Sequence, residues 1–186
     1  MKTYIALLRG INVSGHKKVP MSELRELLEE LKLNRVKTYI QSGNVVFDAA
    51  GKDSSLLAES IEKKIAQQFG FEVAVLVIGL ADFKKALEQN PFLQEPGMNP
   101  DLLYTTFLAT APAAGPLAKL QEMEPTLAPE RLVIKDTIAY VYCSNGYGNT
   151  KIHNNFLEKS LKVTGTTRNL KTIRALISLA EPEEHR

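Results

Sequence analysis

The chain has little cysteine or histidine and no tryptophan. Cys143 is the one cysteine among 186 residues, so an internal disulfide is excluded. It ends the apolar alternation 138–143, which predicts a strand with a small buried thiol. The histidines are His16, His153 and His185, and no metal-ligand spacing relates them to one another or to the cysteine. We therefore expect no structural metal and no cofactor.

Long hydrophobic runs are also missing. No stretch approaches about 18 uninterrupted apolar residues, and the apolar run at the N-terminus reaches Arg9 too soon for a signal peptide. We therefore expect a soluble, cytoplasmic protein without membrane association. The apolar fraction of 44% is sufficient for a buried core, and 186 residues can form one fair-sized domain or two small ones.

A strong charge of either sign is absent as well. The formal net charge of +2 is too small to indicate general affinity for nucleic acids. The cations are nevertheless unevenly placed, because residues 1–22, 31–47 and 159–180 contain lysine and arginine but no acid. The sequence therefore predicts local basic surfaces on a nearly neutral protein.

The first half of the chain predicts the element order β-α-β-β-α-β. The predicted strands are 4–8, 36–40, 45–47 and 73–78. Leucines and isoleucines recur at helical spacing after Pro20 and after Asp53 and Ser54, and Gly70 is placed to end the second helix. This order is typical of the split βαβ, ferredoxin-like fold, in which two helices cover one face of four antiparallel strands.

The second half partly repeats this order. It predicts strands 104–108, 132–135 and 138–143, helices 116–123 and 152–161, a threonine-rich turn and a final helix 170–179. We therefore predict an α+β protein of two tandem ferredoxin-like halves, with mainly antiparallel sheets and a C-terminal helix. The predicted domains are 1–92 and 102–186, joined by a linker 93–101 that is rich in turn-forming residues.

A polar loop follows the first predicted strand. Arg9 suits bidentate binding of a phosphate or carboxylate, and the alternative is a structural arginine that binds a loop carbonyl or Asp48. Asn12 adds an amide that both donates and accepts. Two glycines permit close approach of a ligand to the backbone, as they would permit any tight turn. The loop matches neither the G-x-x-x-x-G-K-[ST] phosphate loop nor the G-x-G-x-x-G dinucleotide motif.

Two lysines and a histidine lie in the same loop. Lys17 and Lys18 precede the Pro20 helix and would add charge near a helix N-terminus, which is a favourable position for an anion. The alternative is that both lysines are only solvated. His16 has the chemistry of an acid or base near neutral pH, but the loop offers it no carboxylate partner.

A second polar segment lies at the predicted hairpin turn. Gln41, Ser42 and Asn44 flank this turn, where amides and hydroxyls often satisfy local backbone groups. The alternative is that amides at strand ends contact a ligand through their donor and acceptor edges. Both interpretations fit the sequence.

A third polar segment precedes the final helix. Thr167 or Asn169 is a suitable N-cap for that helix. Capping does not explain Arg168, which a helix N-terminus disfavours electrostatically unless a negative group is near. Lys171 adds a second cation. These residues therefore indicate an anion, although capping accounts for part of the pattern.

Three tyrosines offer an additional alternative. Tyr140, Tyr142 and Tyr147 precede several amides and would suit stacking against a nucleic-acid base. The competing interpretation places Tyr140 and Tyr142 on one sheet face with a buried edge. The sequence lacks the glycine–aromatic motif of RNA-recognition sheets, which favours the second interpretation.

Three motifs together resemble a known family. They are residues 8–21 (LRGINVSGHKKVPM), 38–47 (TYIQSGNVVF) and 167–172 (TRNLKT). In them the chain resembles the bacterial family called domain of unknown function 1697. The resemblance implies a two-part α+β protein whose signature residues are the polar segments described above, and it implies no established activity.

These patterns predict binding of a small anionic or nucleotide-like ligand, with the three polar segments folding into a common pocket. The predicted ligand-binding residues are Arg9, Asn12, His16, Lys18, Gln41, Ser42, Asn44, Arg168, Asn169 and Lys171. One alternative is an enzyme of phosphoryl or nucleotide chemistry, for which His16, Ser42 and Thr167 are unpartnered candidates. Another is a module that binds nucleic acid or protein. The sequence leaves the oligomeric state open.

Overall fold

A computed structural model describes residues 1–51 and 53–181, which form two four-stranded sheets and six α-helices. The strands are β1 (Lys2–Leu8), β2 (Asn34–Tyr39), β3 (Asn44–Ala49), β4 (Val75–Gly79), β5 (Leu103–Leu108), β6 (Arg131–Lys135), β7 (Ile138–Tyr142) and β8 (Gly165–Asn169). The helices are α1 (Met21–Glu30), α2 (Ser54–Phe69), α3 (Leu80–Glu88), α4 (Ala114–Met123), α5 (Asn154–Leu161) and α6 (Leu170–Ala180). The predicted α+β class is confirmed.

The first sheet has the strand order β2-β3-β1-β4, and all neighbouring strands are antiparallel. Alternate residues of the central strand β1 form an apolar core with α1 and α2, because side chains two apart point to the same face of a strand. These β1 residues are Tyr4, Ala6 and Leu8. The helices contribute Leu24, Leu27 and Leu28 from α1 and Leu57, Ile61 and Ile65 from α2.

The ends of α2 follow the sequence prediction. The Asp53 carboxylate accepts a hydrogen bond from the Ser55 N–H at 2.8 Å and caps the helix. Gly70 ends it with φ of 76°, the left-handed conformation that glycine adopts without strain. Both helix limits were therefore predictable from local residues.

The second sheet has the order β6-β7-β5-β8 and is also antiparallel. Leu120 of α4 and Leu157 and Leu161 of α5 pack with one face of it. Cys143 is fully buried in this core, as predicted. Burial raises the pKa of its thiol to about 11.

The predicted threonine-rich turn before the last helix is wrong. Gly165–Asn169 instead forms β8, antiparallel to β5, with Thr167 opposite Thr106. Threonine is β-branched and favours strands. The segment has no apolar alternation that would indicate a strand. Its threonines are tolerated in the sheet because their hydroxyls find partners there: the Oγ1 atoms of Thr106 and Thr167 are 2.7 Å apart and share a hydrogen bond.

The chain divides into two compact units. One contains the described residues of Met1–Lys85 and Arg174–Arg186, and the other is Ala86–Ile173. The first unit includes the first sheet, and the second unit includes the second sheet. Among the described residues, every helix is too short or too polar to cross a bilayer.

Candidate functional site

The polar loop after β1 has an unusual backbone. The residues with positive φ are Gly10 (67°), Asn12 (55°), Ser14 (49°), Gly15 (77°) and Lys17 (46°). The His16 N–H donates to the Val13 carbonyl at 3.0 Å, and the central residues of this turn both have positive φ, as a type I′ turn requires. Each non-glycine residue in this conformation costs about 1–2 kcal/mol. Contacts elsewhere must therefore hold the loop.

Asn12 supplies those contacts. Its Nδ2 donates to the Val19 carbonyl at 2.9 Å and to the Gln41 carbonyl at 2.8 Å. Its Oδ1 accepts from the Val19 N–H at 2.8 Å, and its own N–H donates to the Lys17 carbonyl at 3.1 Å. Because both amide hydrogens bind the main chain, Asn12 holds the loop in its conformation.

The first two polar segments lie together. The Leu8 N–H donates to the Gly43 carbonyl at 2.8 Å. Gly43 has φ of 77°, and a Cβ there would lie 2.6 Å from Leu8 Cβ and 2.8 Å from Ile11 Cδ1. Only glycine fits this position. We call residues 9–21 and 39–44 the loop pair, since these contacts and the Asn12 amide join them.

The predicted β2–β3 hairpin has a four-residue loop, residues 40–43, with Tyr39 paired to Asn44. Asn44 is fully buried, and its Nδ2 donates to the Tyr39 carbonyl at 3.1 Å and to Ser42 Oγ at 2.9 Å. Those contacts support the interpretation that both residues stabilise the turn. Gln41, in contrast, is exposed.

A cavity of about 630 Å³ opens beside the loop pair at the start of α1. Its lining residues are Asn12, Gly15, Lys18, Val19, Pro20, Met21, Ser22 and Gln41. No carboxylate occurs among these described lining residues. Pro20 is the N-cap of α1 and makes no side-chain cap hydrogen bond, so the first N–H groups of the helix lack the usual partner. The missing cap is visible in the sequence, since proline has no polar side chain that could accept a hydrogen bond.

The other cations of the loop have separate positions. Arg9 is half-buried, and its N–H donates to the Ala74 carbonyl at 2.9 Å. The Lys17 ammonium donates to the Glu72 carbonyl at 2.6 Å, so water is not its only hydrogen-bond partner. His16 and Lys18 are exposed. Of these four, only Lys18 lines the cavity.

Asp48, the acid considered as a partner for Arg9, binds Arg35. The Arg35 guanidinium donates from Nε to Asp48 Oδ2 at 2.8 Å and from Nη2 to Oδ1 at 3.0 Å. This hydrogen bonding lowers the pKa of the Asp48 carboxyl. Nη2 also donates to the Ala180 carbonyl at 3.1 Å, so Arg35 binds the C-terminal end of α6 as well.

The third polar segment, residues 167–172, belongs to the second unit. Asn169 caps α6, since its Oδ1 accepts from the Thr172 N–H at 2.8 Å. Thr167 Oγ1 donates to Asn154 Oδ1 at 2.9 Å. Lys171 is exposed in the first turn of the helix. The capping interpretation is therefore confirmed for Asn169.

Arg168 is half-buried on β8. Its Nη1 donates to Thr166 Oγ1 at 2.8 Å and to the Thr167 carbonyl at 2.9 Å. Burial lowers the pKa of the guanidinium to about 10, and Tyr147 acts in the opposite direction. With this pKa the guanidinium keeps its positive charge at neutral pH.

The tyrosines of this unit have internal partners. Tyr140 is buried and its hydroxyl donates to the Ala86 carbonyl at 2.8 Å; burial raises the pKa of this phenol to about 12. The Tyr147 ring stacks on Tyr104 with centroids 4.6 Å apart. Tyr142 packs beside Phe92. These contacts favour the structural interpretation over a surface for stacking bases.

A larger cavity of about 800 Å³ lies at the opposite end of β1. Its lining includes cations and acids, namely Lys2, Lys84, Asp53 and Asp82. The Lys84 ammonium is 2.7 Å from Glu181 Oε1. This mixed charge favours an anion less than the cavity beside Lys18 does. Within residues 1–51 and 53–181 no group of histidine, cysteine and acid side chains could hold a metal ion; His185 lies outside the described residues.

Comparisons with known proteins complete these findings. No curated protein matches the chain. A conserved bacterial protein from Streptococcus pneumoniae has a similar solved structure, with a TM-score of 0.69 and 28% sequence identity over 97% of this chain and 99% of the other. The sequence profile described as protein of unknown function (DUF1697) matches residues 1–140. Because that match covers most of the chain, the protein belongs to the DUF1697 family of conserved bacterial proteins of unknown function.

Proposed function

We propose that the cavity beside Lys18 binds a small anion or an anionic, nucleotide-like molecule. The contacts we propose are the Lys18 ammonium, the Gln41 amide and the first N–H groups of α1. Asn12 would act indirectly, by holding the loop pair in shape. The observation that supports this proposal most is the uncapped start of α1, which opens into a cavity lined by a lysine and by no described carboxylate; Glu23, in the first turn of the helix, is outside this lining.

The electrostatics of a helix N-terminus favour such a ligand. The N–H groups of Met21 and Ser22 have no acceptor within α1, and the helix dipole places partial positive charge there. Anions bind this position in many proteins. Lys18 adds a full positive charge, while Gln41 offers both donor and acceptor atoms. Each of these terms is modest, so we expect affinity in the micromolar to millimolar range, roughly 4–8 kcal/mol.

The adjacent lysines provide a matched pair of variants. We expect Lys18→Gln to weaken binding of methyl phosphate about five- to ten-fold, because Lys18 is the one cation among the described residues that line the cavity. Lys17→Gln removes the same charge one residue away, from a side chain that donates to the Glu72 carbonyl. We expect it to change the affinity less than two-fold. Isothermal titration calorimetry of the full chain measures both.

Equal losses in the two variants would indicate general attraction by surface charge and would contradict a defined site. Absence of any heat or thermal shift with methyl phosphate, sulfate and nucleoside monophosphates in the parent protein would remove the proposal altogether. A circular dichroism spectrum of each variant confirms that its fold is unchanged.

The contacts of two predicted nucleophiles support binding more than catalysis. Ser42 Oγ accepts a hydrogen bond from the Asn44 amide, and the Thr167 hydroxyl bonds with Thr106 and Asn154. Both hydroxyls thus stabilise local structure. His16 is exposed and is the last residue of the turn 13–16. An enzyme of phosphoryl chemistry therefore stays the weaker proposal, and a nucleic-acid or protein interaction module has no specific contact in its favour among the described residues.

We also propose that the chain is a tandem of ferredoxin-like halves, 1–92 and 102–186. These limits follow the order of elements along the chain, whereas the compact units divide at Lys85 and Ala86 and group the described residues after Ile173 with the first unit. Two features support this proposal. The two sheets have equivalent strand orders, and in each half the strands and the two helices between them follow one another as β-α-β-β-α-β. In the second half, Arg168, Asn169 and Lys171 stay predicted anion-binding residues.

A further inference from the structure

We propose that the ligand of the loop pair has an apolar part beside its anionic group, and that Ile40 and Val13 contact this part. The inference rests on the proposed function and narrows its ligand to an amphiphilic anion, such as an organic phosphate monoester. A bare inorganic anion would use only the charged half of the site.

The first observation is the placement of exposed apolar side chains. The large apolar residues that are exposed in the described chain are Met1, Val13, Ile40, Leu56 and Met123. Val13 is 57% exposed and Ile40 is 53% exposed, and both belong to the loop pair. Each is the sequence neighbour of a cavity-lining residue, Asn12 and Gln41, and those two neighbours are joined by a 2.8 Å hydrogen bond. Val13 and Ile40 are not themselves among the described residues that line the cavity, but each is one residue along the chain from one that does.

The second observation is the backbone at Ile40. Its φ is 48°, a conformation that a β-branched side chain adopts only with strain. The side chain is largely in solvent, so burial in the core does not compensate for that strain. Asparagine or glycine would occupy the position with less strain. An isoleucine here is unfavourable for folding alone, which points to a contact that forms with a ligand.

Charge and apolar surface at this place are complementary to one kind of molecule. The anionic group would bind Lys18 and the start of α1, while an attached ring or alkyl group would cover Ile40 and Val13. Covering roughly 50 Å² of apolar surface changes an affinity about ten-fold. That contribution is large enough to measure separately from the anionic group.

The experiment compares methyl phosphate with phenyl phosphate, which share an anionic group and differ in apolar area. Isothermal titration of the full chain should show phenyl phosphate binding about ten-fold more tightly. Ile40→Asn should reduce this ratio to less than three-fold. Leu56→Asn removes an equally exposed apolar side chain on α2, outside the loop pair, and should leave the ratio unchanged.

Two further measurements separate the inference from a folding defect. Ile40→Asn should unfold at the same temperature as the parent or higher, because asparagine tolerates positive φ. Val13→Thr keeps the shape of the side chain but replaces one methyl group with a hydroxyl, and it should also lower the affinity ratio of phenyl to methyl phosphate.

The outcomes distinguish the two proposals. Equal affinity for the two esters in the parent protein overturns this inference and leaves the anion site standing. Binding of neither ester overturns this inference, and it overturns the anion site as well when sulfate and nucleoside monophosphates also fail to bind. A preference for phenyl phosphate that persists in both loop-pair variants also overturns the inference, because the apolar contact would then lie elsewhere.

Discussion

The loop pair depends on one side chain, and removing it should have a large effect. Asn12→Gly deletes the hydrogen bonds to the Val19 carbonyl and N–H and to the Gln41 carbonyl. Each contributes a net of about 0.5–1.5 kcal/mol, and Val19 is fully buried, so its two main-chain groups would lose their partner. Because glycine accepts the φ of 55° without strain, the lost bonds dominate. We expect the free energy of unfolding to fall by about 2–4 kcal/mol.

Urea denaturation at neutral pH measures this change, and two more variants calibrate it. Asn12→Ala loses the same bonds and adds left-handed backbone strain of about 1 kcal/mol, so it should be less stable than Asn12→Gly. Asn34→Ala is the matched control, since Asn34 is exposed and its amide makes only a 3.5 Å contact with the Lys32 carbonyl. We expect it to stay within about 0.5 kcal/mol of the parent.

A loss below about 0.5 kcal/mol in Asn12→Gly would refute the reasoning, because the amide would then be replaceable by water. An identical loss in Asn34→Ala would refute it as well, since a general effect of asparagine removal would explain both.

Two further predictions concern the same unit. Gly43→Ala places a Cβ 2.6 Å from the nearest side chain at φ of 77° and should cost about 2–5 kcal/mol; unchanged urea unfolding would contradict this close packing. The Arg35 guanidinium lowers the pKa of Asp48 below its ordinary value of 3.8. The contribution of this ion pair to stability is therefore fully present above pH 3.8 and is lost as the pH falls through the lower pKa of the folded state. Asp48→Asn should therefore lower the free energy of unfolding by about 1–3 kcal/mol at pH 7 and make this free energy depend less on pH below about pH 4. An unaltered pH dependence in that acid range would count against the ion pair.

Much of the fold was predictable because local residues specify it. The leucine stripe of α1, the Asp53 cap and Gly70 determine their helices by side-chain spacing and φ preference. The strand β8 was not predictable in this way. Its threonines have no apolar alternation, and their position depends on pairing with β5, which is distant in sequence.

The sequence predicted which residues the candidate site contains better than it predicted what each of these residues does. The polar segments were recognised, but the partners of the Asn12 amide are backbone atoms 7 and 29 residues away. A side-chain pattern does not contain that information. Similarly, the strand β2 has an irregular register between Asn34 and Lys37, and Arg35 within it binds Asp48. Asp48 was a candidate partner for Arg9 in the sequence because each residue directly follows a predicted apolar strand.

The central claim is that a small anion binds at the start of α1 beside the loop pair. Titration of ¹⁵N-labelled protein with methyl phosphate tests it most directly, because the amide signals report each residue separately. We expect the largest and saturable shifts at the N–H groups of Met21 and Ser22 and at the side-chain amide of Gln41, and much smaller shifts in Lys18→Gln at the same concentration. Saturable shifts confined to other parts of the chain, or none at all, would contradict it.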